Sequence, residues 1–466
     1  MVSRANTPPA PPAPQATPRG GLRDGVIAAA ATPLSTSALA MVRVTGAGCW
    51  DVAARVALPF RERPLSTGAP RRVRFVDGDG VFDDGLMLLF QAPRSATGED
   101  AVELTCHGNP RIVRRLLDAL VDAGARLAGP GDFTHRALLH GKLDLIGAEA
   151  VLHAIHARSD AGLAVARGAL DGRLARVIAD LRERLLLAGA ELEARLDHPE
   201  DDLTLMDDEA VESRLREVGR EARELAGTFL AGRTLVEGAR VALVGAVNAG
   251  KSSLFNALLG RERALVHDSE GTTRDVLEVA TELDGVPVTL LDTAGERETA
   301  DPVEAAGQAL AARLVGDADL LVVVLRARVG GPSPAEHAIL ERTGARRRLV
   351  VCNGVDAPGV VVAQGALPVS ARTGVGLQAL RSAMNAALVG SASRSAEVVV
   401  ASARQRDELL TAADHATDAA SCLAVAGPAV AAEAVVCAIE ALDALRGAQA
   451  REDVLTALFS RFCIGK

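Results

Sequence analysis

The spacing of apolar and polar positions changes period several times along the chain. Over 25–142, short β-like runs mix with one clear helix. Residues 102–106 read as a strand, and Gly108 and Pro110 turn the chain into a helix over 111–122 that ends before Gly124. From 143 to 235 the only proline is Pro199, and apolar residues recur three and four apart through Ile178, Leu181, Leu185, Leu186 and Leu192, which predicts long amphipathic helices. A second, Ala-rich helical block is predicted over 401–462, after the Ser-rich stretch 391–395. The segment between them differs: from about 240 to 387 it opens with the apolar strand 241–244 and alternates strands with helices, the pattern of a parallel sheet with crossover helices. Asp284-Gly285 predicts a tight hairpin between 276–283 and 286–291. The expected organisation is an extension over 1–24, an α+β domain over 25–142, and a helical domain split into 143–235 and 393–466 around an inserted α/β domain over 236–392.

Composition narrows the function. With 466 residues, 48% hydrophobic and 24% charged, the chain has the make-up of a globular protein of several domains, which excludes fibrous and wholly disordered classes. Nine Phe, one Trp and no Tyr argue against recognition of bases by aromatic stacking. The net charge of −9 repels phosphate, so a nucleic acid partner requires local basic patches or another subunit. Arg71-Arg72 and the run Arg111 to Arg115 are the basic runs on offer, and they read first as solvated faces. The six cysteines have no metal-ligand spacing and read as reduced thiols. The longest apolar stretch, 423–439, is broken by Pro428 and Glu433 and falls short of the roughly 20 residues of a membrane span. Residues 7–18 alternate Pro and Ala without an apolar core, which predicts a disordered extension, no signal peptide and a cytoplasmic protein.

The chemistry concentrates in the insert. Gly245-Ala246-Val247-Asn248-Ala249-Gly250-Lys251-Ser252 follows a strand and precedes a helix beginning at Ser253, the context of a phosphate-binding loop. Glycines let successive backbone N–H groups wrap phosphates, Lys251 neutralises β and γ charge, and the Ser252 hydroxyl suits magnesium. Gly271-Thr272-Thr273-Arg274-Asp275 follows at the distance of a first switch, with Thr273 as a further magnesium ligand. Asp292-Thr293-Ala294-Gly295 ends an apolar strand, where the carboxylate can hold magnesium through water and the Gly295 amide can reach a γ-phosphate. Asn353-Gly354-Val355-Asp356 and Ser370-Ala371-Arg372 end two more strands. The Asp356 carboxylate can accept both N–H groups of a guanine edge, so the expected ligand is GTP with Mg2+. Gly354 stands where such sites usually carry a lysine whose stem covers the base.

Beside these motifs the chain carries Ala96-Thr97-Gly98-Glu99-Asp100, Cys106-His107-Gly108, Pro130-Gly131-Asp132-Phe133-Thr134, Gly141-Lys142-Leu143-Asp144-Leu145 and the terminal Phe462-Cys463-Ile464-Gly465-Lys466. In all of these it resembles the MnmE (TrmE) family of tRNA modification GTPases from about Gly25 to Lys466. The resemblance implies a multidomain α/β fold: an N-terminal folate-binding, dimerising α+β domain, a split helical domain, and an inserted Ras-like P-loop GTPase domain with a central, mostly parallel sheet. It implies addition of a carboxymethylaminomethyl-type group at carbon 5 of the tRNA wobble uridine. This is done as a homodimer in a heterotetramer with the flavin-dependent MnmG, with 5-formyl- or methylene-tetrahydrofolate as one-carbon donor. By the same resemblance, Asn248, Thr272 and the carbonyls of His267 and Ser269 hold K+, with Asp268 and Glu270 in the same cofactor loop. Glu304, Arg274 and Cys463 are implied as catalytic residues, and Arg43, Glu103, Lys142 and Lys466 as folate contacts. Taken singly, those four read first as solvated surface charges and Cys463 as a buried filler. Leu34-Ser35-Thr36-Ser37 replaces the family's Gly- and Arg-rich turn near Arg43, and Glu296 follows the Asp-Thr-Ala-Gly motif where an apolar residue is usual. Two other classes stay open on the residues: an RNA- or ribosome-associated GTPase switch without modification chemistry, and a GTPase-impaired folate-binding scaffold.

Overall fold

The computed structural model describes residues 25–59, 68–197, 207–260, 276–293, 315–390, 398–447 and 452–465. The chain forms two compact units, Met1–Lys142 with Thr456–Lys466, and Leu143–Leu455. The terminal segment, expected within the helical block, therefore belongs to the first unit. Its aromatic residues are the cause: Phe459 and Phe462 are buried, their rings lie 5.5 Å apart, and Phe459 packs on His135 at 4.9 Å. Pro130 and Ile464 also form an antiparallel bridge.

The first unit is built on a seven-stranded sheet with strands β1 (Ile27–Ala30), β2 (Leu39–Thr45), β3 (Ala57–Leu58), β4 (Arg71–Asp77), β5 (Gly80–Phe90), β6 (Ala101–His107) and β7 (Arg126–Leu127), in the order β3-β4-β5-β6-β2-β1-β7. Only the β1–β7 pairing is parallel. Alternation along β6 buries Val102, Leu104 and Cys106. Helices α1 (Cys49–Val56) and α2 (Pro110–Asp122) pack on that core through Trp50, Leu116 and Leu120. Asn109 caps α2 by accepting from the Arg111 amide, and Pro110 supplies the preset first turn, as the sequence predicts. Helix α3 (Asp132–Leu139) completes the unit's described helices before its terminal segment.

The second unit contains the helical block and the inserted α/β body. Helices α4 (Leu145–His156), α5 (Asp160–Leu170), α6 (Arg173–Asp197), α7 (Asp208–Gly227) and α8 (Phe229–Glu237) precede the insert. In α6 the predicted stripe buries Ile178, Leu181, Leu185 and Leu192, but Leu186 is 43% exposed, because its step of one residue from Leu185 carries it round the helix. The insert runs through β8 (Ala239–Val244), α9 (Lys251–Leu259), β9 (Val276–Leu283), β10 (Val286–Thr293), β11 (Leu320–Arg326), α10 (Pro334–Arg342), β12 (Arg348–Asn353), β13 (Leu367–Val369) and α11 (Leu377–Val389). Its six strands take the order β13-β12-β11-β8-β10-β9, parallel except for the edge strand β9. Residues 320–325 of β11 are buried throughout, the mark of a strand covered on both faces: Leu254, Phe255, Leu380 and Met384 cover one and Ile339 the other. The chain then returns through α12 (Ala403–Ala426), α13 (Pro428–Arg446) and α14 (Glu452–Phe459). Leu409, Leu423, Val435 and Leu442 rejoin the core of α6 and α7, so the two helical blocks are one body around the insert. The apolar stretch near 423–439 is divided at Gly427 between α12 and α13, and among the described residues no helix is long and apolar enough to cross a membrane.

Candidate functional site

Those predicted nucleotide motifs that fall among the described residues, the loop after β8, Asp292 at the end of β10 and the turns after β12 and β13, lie at one edge of the six-stranded sheet. β8 lies between β10 and β11, the point where strand order reverses and where open α/β sheets bind ligands beyond their carboxyl ends. Beyond β8 the loop turns at Asn248 (φ +64°) and Gly250 (φ +88°), and α9 starts at Lys251. Gly250 brings no side-chain cap, which leaves the first-turn amides available to an anion. Lys251 is buried, and its Nζ donates to the carbonyls of Gly245 at 2.9 Å and Ala246 at 3.1 Å, so the ammonium stays in the loop. Ser252 and Ser253 are exposed on the first turn, while Ala249 is buried beneath it.

Asn353 does more than the sequence indicates. Its Nδ2 donates to Ala249 O at 3.3 Å and Gly250 O at 3.4 Å, and its Oδ1 accepts from the Ala371 amide at 3.0 Å. It thus ties the phosphate loop to the Ser370-Ala371-Arg372 turn. A Cβ on residue 250 would stand 2.3 Å from that Nδ2, so the close approach requires the glycine. Asp356 is held by Ser370 Oγ, which donates to its Oδ1 at 2.5 Å, and by the Arg372 guanidinium, whose Nε donates to Oδ2 at 2.9 Å. These bonds, the serine first, keep the carboxyl below its ordinary pKa and therefore ionised. The arginine pairing is a finding the sequence did not indicate. The Arg372 side chain is 79% exposed, so the pair contributes little and can give way to a purine edge.

Asp292 lies at the end of β10, opposite Leu243 of β8. Its Oδ1 is buried without a hydrogen-bond partner among the described residues. An orphaned carboxylate oxygen beside a phosphate loop fits a hard cation, and Asp292 with the Ser252 hydroxyl is an oxygen donor set suited to Mg2+. Thr293 follows on the same strand. Ala294, Gly295, Glu296, Glu304 and the segment with His267, Asp268, Ser269, Glu270, Gly271, Thr272, Thr273 and Arg274 lie outside the described residues.

In the first unit, β-register sets Arg43 opposite Glu103. The guanidinium donates to Glu103 Oε1 from Nε at 3.0 Å and Nη2 at 2.7 Å, reaches Gly465 O at 3.5 Å, and lies 5.9 Å from the Phe133 ring centroid. Both partners remain 19% exposed, so the charged pair is presented over the buried Phe133 ring. Lys142 stands apart, its exposed Nζ donating to Pro93 O at 3.1 Å. The Leu34 to Ser37 turn is pinned by the Ser37 amide on Gly108 O at 2.9 Å, and Thr32 Oγ1 accepts from Met41 N at 3.1 Å. Cys463 is exposed, which corrects its reading as a buried filler: Phe462 and Gly465 take the buried positions of this tail. Lys466 lies outside the described residues. The buried thiols are inert by contrast, burial pushing Cys49 up to about 12 and Cys106 to about 11. Sequence reasoning missed Arg136, which is 4% exposed and donates to Glu99 at 2.9 Å and Gly25 O at 2.8 Å; a lone arginine in an ordinary helix carries no signal.

The family models described as MnmE helical domain and GTP-binding protein TrmE N-terminus match residues 145–463 and 26–142. A Thermus thermophilus protein named tRNA modification GTPase MnmE is 42% identical over 448 residues, covering 96% of this chain and 99% of its own. The chain belongs to the MnmE family of tRNA modification GTPases. Family members from Myxococcus xanthus and Symbiobacterium thermophilum, with the same name, are 41% and 40% identical, each over 94% of this chain and 98% and 99% of their own. Among solved structures, Aquifex aeolicus Era bound to GDP·AlF4− aligns over 32% of this chain and 56% of its own at 25% identity, with a TM-score of 0.27.

Proposed function

We propose that the chain binds and hydrolyses GTP, with stimulation by K+, to drive modification of carbon 5 of the tRNA wobble uridine. The observation that carries this reading is the convergence of the Lys251 loop, the unpartnered Asp292 oxygen and the Asn353–Asp356 turn on one sheet edge. Lys251 and the first-turn amides of α9 take the β- and γ-phosphates, and Asp356 reads the guanine edge. Asn353 keeps the two halves of the pocket in register. Ser252, Thr273 and Asp292 are the groups that would hold Mg2+, and Asn248, Thr272 and the carbonyls of His267 and Ser269 those that would hold K+. Bound there, these cations offset the charge that builds on the phosphates in the transition state. Glu304 would orient the attacking water, with Arg274 as a further catalytic residue.

The modification chemistry belongs to the first unit and its partners. Arg43 and Glu103, over Phe133, would hold the polar edge of a tetrahydrofolate, with Lys142 and Lys466 for its glutamate tail and Cys463 beside the one-carbon group. The chain acts as a cytoplasmic homodimer, in a heterotetramer with MnmG. Two experiments separate these layers. GTP turnover should be faster in KCl than in NaCl, and equal rates would remove the cation assignment. Nucleoside mass spectrometry of tRNA from a strain lacking the gene should show loss of the wobble modification. An intact profile would favour a switch without modification chemistry.

A further inference from the structure

Both oxygens of the Asp356 carboxylate are occupied in the structure, and the two partners differ in kind. Oδ1 accepts from Ser370 Oγ, and Ser370 is fully buried. The serine hydroxyl also accepts from the Thr373 amide at 3.2 Å, and the serine carbonyl accepts from the Gly374 amide at 2.9 Å, so this side is fixed. Oδ2 takes the Arg372 guanidinium through Nε and Nη2 at the surface, the arginine side chain being 79% exposed against 19% for the aspartate. Ala371, the neighbour of Arg372, is held by its amide on Asn353 Oδ1. Releasing the guanidinium therefore takes a side-chain rotation and no movement of the turn.

A guanine edge binds a carboxylate by setting two N–H donors against it. The guanidinium already sets two N–H donors on the exposed oxygen of Asp356, so arginine and base exclude one another there. Exposed side chains change rotamer within nanoseconds, and the pair is thus at equilibrium before a nucleotide arrives. An exposed ion pair of ordinary strength leaves the carboxylate free about a fifth to a half of the time. A ligand that needs the free form associates more slowly by that fraction. Once the base is seated the guanidinium has already left, and departure of the ligand does not depend on it.

We propose that Arg372 is an internal competitor at the base site: its guanidinium closes Asp356 until a purine edge displaces it, and so sets how fast guanine nucleotides enter. The proposal rests on the reading of Asp356 as the guanine-binding carboxylate. The test is stopped-flow fluorescence of methylanthraniloyl-GDP with Mg2+ on the full chain. Arg372→Ala should raise the association rate by about two- to fivefold and leave the dissociation rate, measured by chase with unlabelled GDP, as in wild type. Arg372→Lys, which keeps the charge and loses the planar fork, should fall between them. The sign decides the matter, because loss of a positive charge acting only through steering would slow an anionic ligand. Inorganic triphosphate, which occupies the phosphate loop without meeting Asp356, should compete no better in Arg372→Ala than in wild type. Association equal or slower in Arg372→Ala, or a gain for triphosphate as large as that for GDP, would overturn the competitor. Wild-type protein that takes triphosphate but no labelled GDP would overturn the guanine reading, and the competitor with it.

Discussion

Gly354→Lys should tighten nucleotide binding and weaken the fold, and the backbone sets the second amount. Gly354 sits at φ +90°, and a Cβ built there meets nothing within 4 Å, so the cost of a side chain is conformational and owes nothing to crowding. Its amide donates to Val369 O at 2.9 Å, a bond that lysine keeps and that holds the residue at this φ. A non-glycine residue there costs about 1–2 kcal/mol. At about 2–4 °C per kcal/mol for domains of 150–250 residues, the melting temperature should fall by about 2–8 °C. The strain is present with and without nucleotide and therefore cancels from the binding equilibrium. A lysine stem lying over the guanine then adds affinity of about tenfold, or 1.4 kcal/mol. Calorimetric titration of Mg·GDP into wild type, Gly354→Lys and Gly354→Ala, with melting curves for each, separates the two effects, since alanine carries the strain without the stem. Both variants should melt lower by similar amounts, and only lysine should bind more tightly. If lysine binds GDP no better than alanine, the reasoning about the missing stem is refuted. If neither variant melts lower, the φ at this position is not fixed as described.

Three further outcomes are expected. Asp292→Asn should lower GTP affinity in Mg2+ by roughly tenfold or more while leaving metal-free melting equal or higher, because it removes a charge whose buried Oδ1 lacks a partner among the described residues; titrations with and without EDTA check this. Arg372→Ala frees the Asp356 carboxylate from an exposed partner, so GDP affinity should stay constant or rise by at most a few-fold in a competition assay. His107 has its pKa raised by its hydrogen bond to Asp83 and then by that carboxylate's charge. A raised imidazole stabilises the folded state below its unfolded pKa and loses that contribution as pH rises through the higher, folded one. An NMR titration should place His107 above an ordinary histidine, and Asp83→Asn should return it.

The sheets and the hairpin were legible because their signals are local. Asp284-Gly285 admits a tight turn, and both residues take positive φ, +49° and +84°. The apolar run 241–244 reads directly as a strand, and β8 buries Val241, Ala242, Leu243 and Val244. The turn after β8 and the helix start that follows it were legible from the glycine spacing together with the flanking strand and helix. What escaped depends on the approach of distant segments. The Asn353 clamp joins residues about a hundred positions apart, and the Arg372–Asp356 pair depends on how two loops lie at the sheet edge. Leu185 lies four residues from Leu181 and Leu186 five, and the packed face takes only the first. Helical periodicity continues through 456–462 without any mark that these residues leave the helical body.

That departure has a consequence for how the protein is made on the ribosome. The first unit joins Met1–Lys142 to Thr456–Lys466, and all of Leu143–Leu455 is synthesised in between. At roughly 5–20 residues per second, the nascent amino-terminal sheet waits about 15–60 s before Phe459 and Phe462 emerge to cover His135 and the start of α3. A chain that stops before Gly465 thus leaves Arg43 without that contact, and the surroundings of Arg43 are completed only after all of Leu143–Leu455 has been made.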